Sequence, residues 1–178
     1  ALLRLTELRL GGLELTDAAV AHRRGPEGRM TLHLRGSFTH AGLARFKECT
    51  GLRSLTLSGK SVDDSGLAHF QACAGLRYVD LDKTNVSDAG LATLKAFKGL
   101  IDLRLSQTKV SDAGLTHLKG CVDLKELHLT RTKVDGAGLA HFKSLTALRA
   151  NFTRLSDAGV AHLKACKHLK SLYLMGTN

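Results

Sequence analysis

Apolar residues recur along this chain in two rhythms that take turns. Leu103-Arg104-Leu105 alternates with the period of two of a strand buried on one face. Leu115 and Leu118 then fall at the spacing of one helical face. Between them, Ser111-Asp112-Ala113-Gly114-Leu115 places a capping side chain and an acidic residue at a helix start, where free N–H groups and the positive dipole end favour them. The unit returns at Leu76, Leu100 and Leu124, 24 residues apart each time. From Leu100 it reads Leu103, Leu105, Thr108, Val110, Asp112, Gly114, Leu115, Leu118 and Cys121, and from Leu76 the same offsets give Val79, Leu81, Thr84, Val86, Asp88, Gly90, Leu91, Leu94 and Phe97.

Extending this register predicts repeats opening near Leu5, Arg29, Leu52, Leu76, Leu100, Leu124, Leu145 and Leu169, the last cut short. The step from Arg29 is 23 residues and that from Leu124 is 21, so a kink or a shortened turn is expected at each. Every unit is a strand, a turn and a short helix that cannot bury its apolar side alone; stacking buries it. Successive strands then pair in parallel about 4.8 Å apart, with the sheet on the concave side and the helices on the convex side. Gly42, Gly66, Gly90, Gly114, Gly138 and Gly159 recur at one helical position, where glycine costs about 1 kcal/mol of propensity; a close approach of neighbouring backbones would explain them. The first repeat has Ala19 there and runs into Arg23-Arg24-Gly25-Pro26-Glu27-Gly28, which lacks an apolar helix face and reads as a frayed end, a loop, or an end altered by a missing neighbour.

The composition fits one domain of 178 residues, 43% hydrophobic but with no Trp and only 4% aromatic residues, so its core must repeat small layers. The formal charge of +10 suits a nucleic acid or an anionic surface. Much of it, however, is Lys47, Lys95, Lys119, Lys143 and Lys164, one per helix, which reads as a solvated ridge. No run of about 18 apolar residues offers a membrane span, and the first residues lack the order of a secretion signal. Because Ala1 falls inside a repeat, the chain reads as one repeat domain that can be a fragment of a longer solenoid.

The form from Leu100 to Leu118, L-x-x-L-x-L-x-x-T-x-V-S-D-A-G-L-x-x-L, resembles the leucine-rich-repeat family. It is similar in particular to the 24-residue class abundant in planctomycete bacteria and to the cysteine-containing repeats of F-box proteins. The resemblance covers essentially the whole chain. It implies an α/β fold, a right-handed horseshoe solenoid of about seven repeats, acting as a scaffold that recognises proteins on the concave sheet and adjoining loops. The family's turn Asn corresponds to Thr84, Thr108, Thr132, Thr153 and Thr177, whose hydroxyls can satisfy turn groups. Leu13, Ser37 and Lys60 depart from that column, so the N-terminal half is expected to be less regular.

Several features tempt a chemical reading. Cys49, Cys73, Cys121 and Cys166 occupy the position that Phe97 and Leu145 fill elsewhere, which makes them core hydrophobes rather than metal ligands or a disulfide set. As unpaired thiols they lean toward a reducing, cytoplasmic compartment. His22, His69, His117, His141 and His162 form a column that could bind metal or sense pH, or be a helix flank copied by duplication; duplication explains the pattern better. His162, Cys166 and His168 are its densest cluster. Gly59-Lys60-Ser61 imitates the end of a phosphate loop, but Ser54 stands where that loop needs an earlier glycine. No catalytic motif, cofactor site or small-molecule site emerges.

Side chains between the inward leucines must face the concave solvent. One such column is Arg9, His33, Thr56, Asp80, Arg104, His128, Arg149 and Tyr173. A second is Arg35, Ser58, Asp82, Ser106, Thr130, Asn151 and Met175, followed by Lys83, Gln107, Arg131 and Phe152. These positions vary from repeat to repeat, as a surface tuned to one partner would. Arg104, His128, Arg131 and Arg149 make a basic patch beside Asp80 and Asp82, with Phe152 and Tyr173 as aromatic anchors. The expected partner is a protein of mixed charge, bound through Arg9, Arg35, Asp80, Asp82, Lys83, Arg104, Gln107, His128, Arg131, Arg149, Phe152 and Tyr173. Nucleic-acid or anionic-surface binding and a purely structural role in a larger protein are the alternatives.

Overall fold

The computed structural model describes residues 7–11 and 30–177. Eight strands form one open parallel sheet in chain order: β1 (Glu7–Gly11), β2 (Met30–Arg35), β3 (Leu52–Ser58), β4 (Tyr78–Asp80), β5 (Asp102–Arg104), β6 (Glu126–His128), β7 (Ala147–Arg149) and β8 (Ser171–Tyr173). Leu8, Leu32, Leu55, Val79, Leu103, Leu127, Leu148 and Leu172 stand in register across it. Just beyond the short strands, the N–H groups of Leu81, Leu105 and Leu129 donate to Arg104, His128 and Arg149, so the ladder carries on into the turn. Those three leucines are fully buried.

Short helices return the chain to the start of each next strand: α1 (His40–Leu43), α2 (Asp64–Ala68), α3 (Asp88–Leu94), α4 (Asp112–Leu115) and α5 (Asp157–Ala161). Their leucines close the core against the sheet. Aromatic residues are few, but five of the six phenylalanines, Phe38, Phe46, Phe70, Phe97 and Phe142, are buried, which makes the core less uniform than small layers alone.

Adjacent repeats are also bolted by a carboxylate ladder. Asp64 Oδ1 and Oδ2 accept the Ser87 backbone N–H and hydroxyl at 2.7 and 2.5 Å, and Asp88 holds Ser111 in the same way at 2.7 and 2.6 Å. Asp112 accepts three backbone N–H groups, from Asp135, Gly136 and Gly138. The expected cap is therefore only partly local. Ser87 and Ser156 cap their own helices, whereas Ser111 makes no cap bond and spends its hydroxyl on the preceding repeat. The ladder also explains the glycine column. A Cβ on Gly90 or Gly114 would strike the Asp64 or Asp88 carboxylate, one on Gly159 the Asp135 carbonyl, and one on Gly66 the Leu43 side chain at 2.7 Å. Close approach is real, but in the central repeats the neighbour is a carboxylate rather than bare backbone.

Both irregular steps have a local cause. At the first, β2 and β3 pair 23 residues apart, Leu34 with Leu57, whereas α1 and α2 begin 24 apart, at His40 and Asp64, so the missing residue comes out of the turn between β2 and α1; Met30 faces Leu52 and Thr31 faces Ser54, which leaves Arg53 as a bulge in β3. Arg29 lies outside the described residues, and its neighbour Met30 is the buried residue opposite Leu52. At the second, the missing residues come out of the helix, where only a 3₁₀ turn, Ala137–His141, remains. Leu139 then does the work of two helix leucines, and Phe142 fills the cysteine column. Leu145 is displaced to the buried opening position before β7, which corrects its placement beside the cysteines: the Cys166 thiol reaches the carbonyl of Phe142, as the Cys73 thiol reaches that of Cys49. Leu5, Leu13, Ala19, His22 and the segment 23–28 lie outside the described residues.

The threonine column performs as expected. Thr84, Thr108, Thr132 and Thr153 are buried, and their hydroxyls donate to the carbonyls of Leu81, Leu105, Leu129 and Ala150 at 2.6 to 2.8 Å. A buried carbonyl left unpaired costs about 1–3 kcal/mol, which accounts for the hydroxyl at these four turns.

Two substitutions test this packing by denaturant unfolding. Leu105→Ala lowers stability by about 3 kcal/mol through the cavity it leaves. Gly114→Ala costs about 2 kcal/mol by overpacking the Asp88 carboxylate, although an unconstrained helical site would gain up to ~1 kcal/mol from the same change.

Candidate binding face

The predicted outward column is a single register row: Arg9, His33, Thr56, Asp80, Arg104, His128, Arg149 and Tyr173 lie on consecutive strands. Arg35 and Ser58 pair one step further along. Asp82 joins Ser106 in that second row by accepting its N–H at 2.6 Å, and Asn151 accepts the N–H of Met175 at 2.8 Å. Lys83, Gln107, Arg131 and Phe152 follow, each with a left-handed backbone, φ 55 to 61°. Gly36, Gly59 and Gly176 take the equivalent place in other repeats. A non-glycine residue there costs about 1–2 kcal/mol. The strain is tolerated because each backbone N–H of the four is held by the next repeat, at 2.7 to 2.9 Å.

One row was missed: Glu7, Thr31, Ser54, Tyr78, Asp102, Glu126, Ala147 and Ser171, two residues before the first. Continuing the period of two backward from Arg104 to Asp102 was the signal available. This row supplies the carboxylates that set the charge of the face. Arg104 Nη2 lies 3.2 Å from Asp102 Oδ2, and Arg9 Nε lies 2.7 Å from Glu7 Oε1. His33 Nδ1 is 2.9 Å from the Thr56 hydroxyl.

The basic patch expected from Arg104, His128, Arg131 and Arg149 is thereby thinned. Arg104 is paired with Asp102. Burial pushes the His128 imidazole below its usual pKa, with Asp102 opposing the shift and Arg104 and Arg149 adding to it. His33 is lowered too, by burial and then by Arg9. Burial raises the Asp82 carboxyl, against the N–H it accepts from Ser106. The cations that remain are stacked on rings: Arg149 lies 4.8 Å from the centroid of Tyr173, and Arg131 lies 5.4 Å from that of Phe152. Phe152 is the one phenylalanine outside the core, 48% exposed. Toward the N-terminal half, His33, Arg35, Tyr78, Asp80, Asp102 and Arg104 surround a depression of about 320 Å³.

The other tempting features separate from this face. Cys49, Cys73, Cys121 and Cys166 are buried and free, and burial drives their thiols up, Cys49 to about 11 and Cys73 to about 12, so they stay protonated at neutral pH. Lys47, Lys95, Lys119, Lys143 and Lys164 are exposed along the helices. His117, His141, His162 and His168 are exposed and His69 is half-buried; among the described residues, the group of three potential ligands within 4.8 Å of one another is Asp102, Glu126 and His128, on the sheet. Lys60 directs its ammonium to the carbonyls of Thr84 and Gln107, a strut across turns rather than part of a phosphate loop.

No protein-family model and no curated protein matches the chain. Among solved structures it is similar to internalin C2 from Listeria monocytogenes, with a TM-score of 0.69 and 24% identity over 84% of this chain and 62% of that one. The chain thus spans less than two thirds of that protein's length. The fold is that of a leucine-rich-repeat solenoid. Within this solenoid no helix among the described residues is long and apolar enough to cross a membrane.

The depressed imidazoles make stability depend on pH. Between the lowered native pKa of His128 and the ordinary value of 6.5, the unfolded chain binds more protons than the folded one, so stability rises with pH through that window and is level above it. His128→Asn reduces the slope of Tm against pH below 6.5, and adding His33→Asn reduces it again. Equal slopes in all three proteins would show that neither ring titrates differently on folding.

Proposed function

We propose that this protein is a non-enzymatic recognition scaffold that binds a partner protein on the solvent face of its sheet and the adjoining turns. The observation that carries the reading is the contrast between columns. The buried leucines, the Asp ladder and the Thr turns repeat, while the outward rows change residue from each strand to the next. Arg131 on Phe152 and Arg149 on Tyr173 are stacked before any partner arrives, so little side-chain freedom is left to lose on binding. Arginine and aromatic residues are the types enriched among residues that dominate binding energy.

The fold supports protein recognition in general. The 24-residue step supports the planctomycete-type class, and the cysteine column supports a relation to the repeats of F-box proteins. Buried, unpaired thiols favour a reducing compartment. The mixed charge of the face, with Asp80, Asp82, Asp102 and Glu126 between arginines, fits a protein better than a polyanion, and Lys47, Lys95, Lys119, Lys143 and Lys164, which add to the net charge, lie along the helices.

The test is affinity purification of the full-length protein from its own cells, repeated with Arg131→Glu/Arg149→Glu. The expected result is a protein captured by the wild type and weakened at least about tenfold in the double variant, with an unchanged thermal melt. Capture of the same proteins by both would overturn recognition on this face. Retention on an oligonucleotide column that collapses with salt would favour nucleic acid instead.

A further inference from the structure

Asp102, Glu126 and His128 bring two carboxylates and one imidazole to a single spot on the sheet. Glu126 and His128 are two apart on β6 and so share its solvent face, and Asp102 stands in register with Glu126 on β5. One ligand atom from each lies within 4.8 Å of the others, and His128 Nε2 is 3.9 Å from Glu126 Oε2. We infer that this trio is a binding site for a divalent transition-metal cation of the zinc class.

Two observations converge on it. First, Asp102 is divided between two tasks: Oδ2 meets Arg104 Nη2 at 3.2 Å, while Oδ1 is buried and, among the described residues, is the side-chain polar atom left without a hydrogen-bond partner. Buried polar atoms nearly always have a partner, and an orphaned one calls for an explanation such as an ion. Second, the ligand set is chemically selective. An imidazole with carboxylates suits zinc and its neighbours, whereas magnesium and calcium prefer oxygen alone.

The strands supply the rigidity. Asp102, Glu126 and His128 hang from backbone fixed on both sides, by β4 and by β7. Three protein ligands leave a coordination position open toward solvent. Arg104 and Arg149 oppose the cation, Arg104 through its hold on Asp102 and Arg149 from the neighbouring strand, where its guanidinium is drawn to Tyr173. The inference stands independently of partner recognition, because it concerns the free protein.

The experiment is isothermal titration of the chelator-stripped protein with zinc chloride alone at neutral pH, paired with thermal melts. One zinc per chain and a rise in Tm are expected. His128→Asn, and separately Asp102→Asn/Glu126→Gln, should each weaken binding by about tenfold or more. Two carboxylate replacements of equal shape guard against a single variant that misfolds, and melts without zinc confirm that each is folded. Arg104→Gln should strengthen binding, since it removes a cation and frees the second Asp102 oxygen. His117→Gln and His162→Gln, on the helix ridge, should leave it unchanged. Equal zinc affinity in the wild type and both site variants, or a loss seen only with the ridge variants, would overturn the site.

Discussion

The structure depends on one constraint: no repeat can seal its own apolar face. A strand of three to seven residues and a helix of four to seven leave their leucines open on two sides, and only the next layer closes them. Leu81, Leu105 and Leu129 are fully buried because each has a neighbour of the same kind one strand away. The same demand fixes the polar chemistry. Each new layer brings N–H groups and carbonyls that must be satisfied, and the Asp64, Asp88 and Asp112 carboxylates and the threonine hydroxyls satisfy them without disturbing the stack.

Because the layers are held from within, the outer face is free to vary. Its side chains project from backbone already fixed on both flanks, so a substitution there costs the fold little. Four residues go further and occupy left-handed turns where other repeats place glycine, carrying Lys83, Gln107, Arg131 and Phe152 outward. A strained backbone that presents a side chain, rather than relieving strain with glycine, fits a face whose side chains are used. Arg131 and Arg149 are stacked on aromatic rings and Arg9 and Arg104 are paired with carboxylates, which gives a patterned surface instead of a uniformly basic one.

Much of this was legible in the chain. The row from Arg9 to Tyr173 was readable because a period of two admits one outward residue between two buried leucines, and the threonine and cysteine columns followed from the repeat. Sequence reasoning stopped short where one position could belong to two registers. Leu145 fits both the cysteine column and the opening column at 24-residue spacing, and only the loss of a helical turn at Ala137–His141 decides between them. The Asp102 row was overlooked because its strands are short and its residues lie at their first positions, where the alternation has barely begun.

What the sequence determined by itself was the unit and its stacking, since a hydrophobic period imposed again and again leaves the backbone one way to bury it. What the tertiary structure decided was which charges cancel and which stay exposed. Asp102 meets Arg104 within one strand and Glu126 and His128 across to the next, and Arg149 finds Tyr173 on the neighbouring repeat. Apart from the local pair of Asp102 with Arg104, these pairings depend on distances of a few ångströms between side chains some two dozen residues apart in the chain. Periodicity sets the row a residue joins, but the direction of a guanidinium within that row is settled only by the neighbours packed around it.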